Sequence, residues 1–96
     1  MRVDLKLFYR FKIAEVESFQ KLIDESRYLQ PYKKIVDYVY PQLRSNPFFG
    51  PNIKKLKGEL EDFYRYRIGK YRLFYKIDKQ RVIVFVISLK HRGEAY

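Results

Sequence analysis

Residues 52–96 read NIKKLKGELEDFYRYRIGKYRLFYKIDKQRVIVFVISLKHRGEAY, and this stretch decides the fold. The dipeptide Gly69-Lys70 has glycine at its first position, which is typical of the tight turn that closes a β-hairpin. Counting outward from that turn places Arg67 opposite Arg72, and side-chain alternation puts Arg65 on the same side of the sheet. Like charges directly opposite each other are destabilising, so this face is predicted to bind an anion.

The strands beyond the hairpin turn are also readable from the sequence. Residues 63–68 and 71–77 form the predicted hairpin, and residues 81–89 (RVIVFVISL) form the next strand. This last strand is apolar on both faces, which is typical of a strand inside a sheet. We therefore expect it to be central, with a strand at residues 2–9 as its other neighbour.

The register of the last strand decides which side its end faces. A tight turn near residues 78–80 would place Asp78 opposite Arg81 and Arg72 opposite Ile87. If the strand continued, His91 would then lie on the same side as the arginines. The sequence therefore predicts a histidine at the rim of the cationic surface.

The first half of the chain has the patterns of one strand and two helices. Residues 2–9 (RVDLKLFY) alternate as a half-buried strand does, and residues 12–28 have apolar side chains at helical spacings of three and four. Pro31 is suited to begin a second helix, and Pro41 predicts a kink or break just before it. Residues 45–52 contain two prolines and a glycine and are predicted to be a loop.

These elements predict an α+β fold, with two helices packed on a four-stranded, mostly antiparallel sheet. A length of 96 residues suits a single domain at residues 1–96. Between the loop and the hairpin we expect a short basic segment at residues 53–57 and an acidic turn at residues 59–62.

Composition restricts the partner and the compartment. Lys and Arg total 21 against 11 Asp and Glu, a formal charge of +10, which favours a polyanionic or acidic partner. The chain has no cysteine and one histidine, so disulfides and a structural zinc site are excluded. No apolar run is long enough to span a bilayer and the N-terminus lacks a signal-peptide pattern, so we expect a cytoplasmic protein without a membrane partner.

Four segments resemble the RelE/ParE superfamily of bacterial toxins, which are the toxin halves of type II toxin–antitoxin pairs. They are KKLKGEL, the hairpin YRYRIGKYRLFYKI, the strand VIVFVISL and the terminal HRGEAY. The resemblance implies a fold of one strand, two helices and an antiparallel sheet. It also implies a toxin, because RelE-like members cut messenger RNA in the ribosomal A site and ParE-like members poison DNA gyrase.

The resemblance further implies which residues do the work. RelE-like members use basic side chains on the two hairpin strands, with an Arg or His and a Tyr near the C-terminus. The matching positions here, predicted to be catalytic, are Arg67, Arg72, His91, Arg92 and Tyr96. Arg65 also matches and is predicted to position a phosphate, and the lysines of the basic segment, Lys54, Lys55 and Lys57, are predicted from their charge to contact RNA.

The implied reaction is RNA cleavage by its own 2′-hydroxyl, which needs no metal or cofactor. Arg67 and Arg72 would stabilise the charge that grows on the phosphate. His91 would transfer a proton, since imidazole titrates near neutrality, with Arg92 as the reserve acid or clamp. Tyr96 would stack on a base or orient the 2′-hydroxyl.

The sequence thus predicts a ribosome-dependent messenger RNA endonuclease. Its expected partners are the ribosome, messenger RNA and a cognate acidic antitoxin. Two alternatives stay open: a ParE-like gyrase inhibitor, and a basic RNA-binding domain without catalysis. Fold alone does not choose among them.

Overall fold

The computed structural model of the chain describes residues 11–57 and 63–93. In chain order its elements are strand β1 (Lys12–Glu15), helix α1 (Glu17–Ile23), a 3₁₀ turn (Ser26–Tyr28), helix α2 (Leu29–Lys34), a π-helical segment (Ile35–Val39), helix α3 (Tyr40–Ser45), and strands β2 (Ile53–Lys55), β3 (Phe63–Ile68), β4 (Tyr71–Asp78) and β5 (Ile83–His91). The hairpin β3–β4 has the register that the Gly69-Lys70 turn predicts.

The sheet is five-stranded, in the order β1-β5-β4-β3-β2. The pair β1–β5 is parallel, whereas the other three pairs are antiparallel. The α+β class and the mostly antiparallel sheet are confirmed, but the predicted number of four strands is wrong. The additional strand is β2, part of the segment that the sequence marked only as basic. It pairs along β3 because the loop before it returns the chain to that edge.

Strand β5 is inside the sheet, as its apolar faces predict, and lies between β4 and β1. Its partner on the β1 side is formed by residues 12–15, whereas the sequence pattern indicated residues 2–9, which lie outside the described residues. Strand β5 also begins at residue 83, two residues later than predicted, and extends to His91. Residues 79–82 form the turn, and Val82 has a left-handed backbone (φ 61°), which is unusual for a β-branched residue.

The prediction of one helix over residues 12–28 is wrong at both ends. Its first residues form β1, and its last three form the 3₁₀ turn. The apolar spacing of Ile13 and Val16 fits a helix, but the backbone of this segment instead pairs with β5. Lys12 N–H donates to the carbonyl of Val82 (2.9 Å) and Val16 N–H to that of Val86 (3.1 Å). Tertiary pairing therefore overrides the local periodicity.

The second helical region passes through Pro41 without a gap in helical residues. Proline removes one hydrogen bond, and in a regular α-helix its ring clashes with the carbonyl four residues earlier, here that of Asp37. Asp37 lies in the π-helical segment, where the helix is widened, and Pro41 is at the start of α3. The predicted disturbance before Pro41 is thus a change of helix type. The predicted loop follows α3 and leads into β2.

The helices cover one face of the sheet, which we call the helix face. Its fully buried members include Phe19, Ile35 and Leu43 from the helices and Leu73 and Val84 from the strands. The tyrosines of the hairpin pack against the helices. Two are in the core and two are partly buried against it: Tyr66, Tyr75, Tyr64 and Tyr71.

Candidate nucleic-acid interface

A row of three cations crosses the opposite face of the sheet. Arg67 on β3 is directly opposite Arg72 on β4, and Arg72 is directly opposite Lys90 on β5. Directly opposed residues share a face, so three positive side chains stand side by side on adjacent strands. Arg72 and Lys90 are half-buried and Arg67 is exposed.

A second row runs parallel to the first. It contains Lys54, Arg65, Phe74 and Ser88, one from each of β2 to β5. We call the face formed by both rows the arginine face. Phe74 is 4% exposed although it lies outside the core of the helix face, so the second row contains a buried apolar ring beside Arg65.

The backbone beside β2 holds the arginines of β3 in place. The carbonyl oxygen of Asn52 accepts a hydrogen bond from the backbone N–H of Arg67 (2.9 Å). The same oxygen accepts one from the guanidinium of Arg65 (Arg65 Nη1 to Asn52 O, 3.3 Å). Arg65 is half-buried, and its guanidinium is therefore oriented by the protein before any ligand arrives.

The prediction that His91 lies on the arginine face is wrong. His91 is opposite Tyr71, on the helix face, and the two rings meet edge to face with centroids 5.4 Å apart. The expected register placed Asp78 opposite Arg81, whereas Asp78 is opposite Ile83. A β-bulge between Phe74 and Tyr75 shifts the pairing by one more residue, and an odd total shift exchanges the two faces.

Lys90 is the residue that sequence reasoning missed. The four-residue turn and the bulge place it, rather than His91, in the row beside Arg72. The bulge has no clear sequence signature. The turn has a weak sequence signature, which is the aspartate at position 78. Asp78 Oδ1 accepts a hydrogen bond from the backbone N–H of Arg81 (3.0 Å), a pattern typical of aspartate before a turn.

The other predicted site residues are divided among several places. Lys55 is opposite Tyr64 on the helix face, and Lys57 is an exposed residue after β2. Arg92 follows β5, and its backbone N–H donates to the carbonyl of Lys70 in the hairpin turn (2.6 Å). Tyr96 lies outside the described residues.

The helix face has its own polar cluster, which ties β1 to the helices. The hydroxyls of Tyr32 and Tyr40 both donate to Oε2 of Glu15, at 2.8 and 2.7 Å. Burial, followed by the neighbouring Glu15 carboxylate, raises the pKa of Tyr32 to about 12 and raises the pKa of Tyr40 further. These phenols therefore hold their protons and serve as fixed donors to Glu15.

A further tyrosine fixes the loop before β2. The hydroxyl of Tyr75 donates to the carbonyl of Pro47 (2.7 Å), and burial raises the pKa of Tyr75. Within residues 11–57 and 63–93, no three His, Cys, Asp or Glu side chains are grouped as a metal site would require. In the same residues, no helix has the length and apolar character needed to cross a membrane.

Solved structures of several toxins resemble this fold. The RelBE2 toxin–antitoxin complex of Mycobacterium tuberculosis has a chain that is 22% identical, with a TM-score of 0.69, covering 88% of this chain and 94% of that one. An E. coli RelE mutant in complex with an antitoxin RelBc peptide is 27% identical (TM-score 0.63, covering 90% and 86%). The YoeB-YefM toxin-antitoxin complex of Staphylococcus aureus has a chain 25% identical (TM-score 0.62, covering 91% and 99%).

A search of curated protein sequences finds no match. The family comparison is more informative, because the profile described as the ParE toxin of type II toxin-antitoxin system, parDE, matches residues 14–96. This match spans most of the chain and includes every strand of the arginine face. The chain therefore belongs to the ParE toxin family, within the RelE/ParE superfamily of type II toxin–antitoxin toxins.

Proposed function

We propose that this toxin is a ribosome-dependent endoribonuclease that cleaves messenger RNA. The observation that carries the proposal is the row Arg67, Arg72 and Lys90 on three adjacent strands. Like charges directly opposite each other destabilise a sheet, and an anionic ligand lying across the row would offset that repulsion. The chain as a whole carries a formal charge of +10, which suits RNA.

The row brings together cations of the kind that phosphoryl chemistry uses. Guanidinium groups stay charged at any working pH and pair with phosphate oxygens through two parallel hydrogen bonds. Arg72 stands between the other two cations and is half-buried. It is therefore the cation best placed to stabilise the negative charge of the phosphoryl group during the reaction. Arg65, oriented by the Asn52 carbonyl, positions the neighbouring phosphate.

The proposed reaction proceeds without a metal. The 2′-hydroxyl gives its proton to a solvent water and its oxygen bonds to the adjacent phosphorus, the bond from phosphorus to the 5′-oxygen breaks, and the 5′-oxygen takes a proton from a side chain of the protein. The products are a 2′,3′-cyclic phosphate and a 5′-hydroxyl. Arg67 and Arg72 stabilise the charge that develops on the phosphoryl oxygens, which is the main way such sites lower a barrier.

The proton for the 5′-oxygen has a new candidate donor. An ammonium releases a proton far more readily than a guanidinium does, and Lys90 is the ammonium in the row. His91 is opposite Tyr71 on the helix face, away from the row of cations, so we do not propose it as the donor. Arg92 remains a proposed reserve acid or clamp, and Tyr96 keeps its proposed role of stacking on a base or orienting the 2′-hydroxyl.

An antitoxin and the ribosome are the proposed partners. The similar RelE and YoeB chains are in complexes with antitoxins, and an acidic amphipathic segment would complement the arginine face. We expect a neighbouring reading frame to encode a small acidic protein. Co-expression of that protein should relieve toxicity, and the two proteins should purify together.

The direct test is primer extension on a translated message after the toxin is induced. The nuclease should produce cuts clustered inside codons, and only in messages that are being translated. Arg72→Ala should abolish the cuts. Arg81→Ala is the matched control, since Arg81 is an exposed arginine in the β4–β5 turn, paired with Asp78 (Nε to Oδ2, 3.5 Å). Its cuts should equal those of the wild type.

The second candidate is a DNA gyrase inhibitor, and the match to the ParE family profile favours it. This function needs a binding surface but no nuclease chemistry. It predicts a DNA-damage response and loss of gyrase supercoiling, with no cuts in messenger RNA. That combination of results would reject the nuclease proposal.

A further inference from the structure

A group of aromatic and basic residues lies on the helix-face side of the sheet, beside strand β2. It is a cleft of about 540 Å³ whose described lining residues are Phe48, Phe49, Lys55, Tyr64 and Lys79. Its apolar surface is supplied by three aromatic rings, and both of its charged lining residues are lysines. We call it the aromatic cleft. None of the residues predicted to be catalytic lines it.

Phe49 is the exposed ring of the cleft, with 77% of its surface accessible. An exposed phenylalanine on a flexible loop would carry little information, but this loop is fixed. Asn46 Oδ1 accepts hydrogen bonds from the backbone N–H groups of Phe48 (2.9 Å) and Phe49 (3.3 Å). The carbonyl of Pro47 accepts from the Tyr75 hydroxyl. The ring of Phe49 is therefore presented to solvent by a restrained backbone.

The ring of Phe48, next to Phe49 in the chain, is held in place by contacts with other aromatic rings. Phe48 meets Phe11 edge to face at 5.7 Å between centroids and meets Tyr64 edge to face at 6.2 Å. Tyr64 in turn stacks on Tyr75 at 5.6 Å. Phe49 is 6.5 Å from Phe48 by centroids and is the outermost member of this group. The aromatic group thus ends in one face that the described protein leaves uncovered.

The two lysines supply charge beside the rings. Lys79 Nζ stands 5.6 Å from the centre of the Phe48 ring, and Lys55 is at the edge strand β2. Exposed aromatic rings between cations are how proteins bind single-stranded nucleic acids, with bases on the rings and phosphates on the cations. A volume of about 540 Å³ is within the range of small-ligand sites and is large enough for a nucleotide.

Strand β2 connects the cleft to the arginine face. Lys54 lies opposite Arg65 on the arginine face, and the next residue, Lys55, lines the aromatic cleft on the helix face. Because β2 is the last strand of the sheet on this side, no further described strand separates the two surfaces. An RNA strand lying on the arginine face can pass over this edge and keep a lysine beside its backbone on either side.

We propose that the aromatic cleft is a second RNA-binding subsite, in which a base of single-stranded RNA stacks on Phe49 and its flanking phosphates lie at Lys55 and Lys79. The inference rests on the proposed function in taking RNA as the ligand, but it requires no cleavage. It makes the bound segment longer than the nucleotides that react, and it assigns a role to Lys55 that does not depend on the arginine face.

The test is binding of a 2′-O-methyl oligonucleotide of about twelve nucleotides, measured by fluorescence anisotropy. This probe has no free 2′-hydroxyl and cannot be cleaved. Phe49→Ala should weaken binding roughly 5- to 150-fold, the range found for one stacked base, and Phe49→Trp should bind like the wild type. Tyr38→Ala is the matched control, because Tyr38 is also 72% exposed and is on the π-helical segment away from the cleft. It should bind as the wild type does.

A second measurement identifies the stacked base. A series of oligonucleotides carries one abasic site, each at a different position. At one position the missing base should weaken binding to the wild-type protein. The same oligonucleotide should bind Phe49→Ala as tightly as the intact oligonucleotide does. Lys55→Ala and Lys79→Ala should each reduce the slope of log K against log salt by about 0.7, as expected for one phosphate contact with a single strand. Lys33→Ala removes an exposed charge of helix α2 and should leave the slope unchanged.

Three outcomes would overturn the inference. Phe49→Ala could bind the oligonucleotide as tightly as Tyr38→Ala does. Alternatively, every abasic position could reduce the affinity of the wild type and of Phe49→Ala by the same factor. Alternatively, Phe49→Ala could lose affinity for the antitoxin and keep its affinity for RNA, in which case the cleft binds protein. Normal cleavage by Phe49→Ala with unchanged oligonucleotide binding would reject the cleft alone. Lost binding in a protein that never cleaves would reject the nuclease alone.

Discussion

The two faces of the sheet differ in how their polar and charged side chains are arranged. On the helix face, polar groups are satisfied within the protein: two phenols donate to Glu15, and among the described residues no buried side-chain nitrogen or oxygen lacks a hydrogen bond. On the arginine face, Arg67, Arg72 and Lys90 stand in one row. The first face holds the molecule together, and the second is the one on which we propose that a ligand binds.

Adjacent residues on β4 give the sharpest contrast. Leu73 is fully buried on the helix face, and Arg72 is in the cationic row. Leu73→Ala should lower the free energy of unfolding by about 2–5 kcal/mol, because a cavity replaces the lost side chain. Urea unfolding followed by circular dichroism measures this loss. An unchanged midpoint would mean that the helix face does not carry the stability of the fold.

Arg72→Ala should have the opposite profile. We expect single-turnover cleavage of ribosome-bound message to fall about a hundredfold or more, the scale found when one well-placed electrostatic stabiliser is removed. The free energy of unfolding should change by about 0.5 kcal/mol or less, since the substitution lies outside the core. Ribosome co-sedimentation should fall far less than cleavage. A variant that cleaves normally would place the chemistry elsewhere.

The Glu15 cluster predicts a smaller effect that depends on pH. The pKa of Tyr32 is raised from 10.0 to about 12 and that of Tyr40 is raised further, so the folded state binds these protons more tightly than the unfolded state does. Their stabilisation is fully present below pH 10; the part due to Tyr32 is lost as the pH rises through about 12, and the part due to Tyr40 continues to fall above that pH. Unfolding midpoints should therefore fall across this interval.

Substitution of one phenol checks this assignment. Tyr40→Phe should cost about 1 kcal/mol at neutral pH, as expected for one hydrogen bond, and should make the alkaline decline shallower. Tyr38→Phe is the control because Tyr38 is exposed. If both variants decline as steeply as the wild type, the Glu15 cluster is not the cause.

The smallest effect is expected at His91, next to Lys90 but on the other face. His91→Gln should cleave message about as fast as the wild type, because the imidazole is against Tyr71. Lys90→Ala should be slower, because its ammonium is beside Arg72. Single-turnover rates of the two variants decide the point. A crippled His91→Gln with normal Lys90→Ala would return the proton donor to His91.

The sequence was sufficient wherever one local signal determined the geometry. Gly69 has a φ of 55°, and its turn sets Arg67 against Arg72 as predicted. The face of His91 could not be predicted in the same way, because it depends on the length of a turn with no glycine and on a bulge. An error of a single residue in either one exchanges the faces of everything that follows.

The same reasoning explains the other differences in the fold. Residues 12–15 have a helical spacing of apolar side chains, and only pairing with a strand far along the chain makes them extended. Strand β2 has three residues and two lysines, too short a pattern to be recognised without its partner β3. Both elements depend on contacts distant in sequence, which no local periodicity records.

The position of β5 also has a consequence for the order of assembly. This strand is the last of the described strands in chain order, yet it lies between β1 and β4 and pairs Lys12 with Ile83. A nascent chain cannot complete the sheet, or set Lys90 beside Arg72, until the ribosome has delivered β5. Pairing of such distant segments is also slow, because a long loop must close first. Under the proposed function, the toxin gains its cationic row only after β5 has left the ribosome, and the delay gives an antitoxin time to bind.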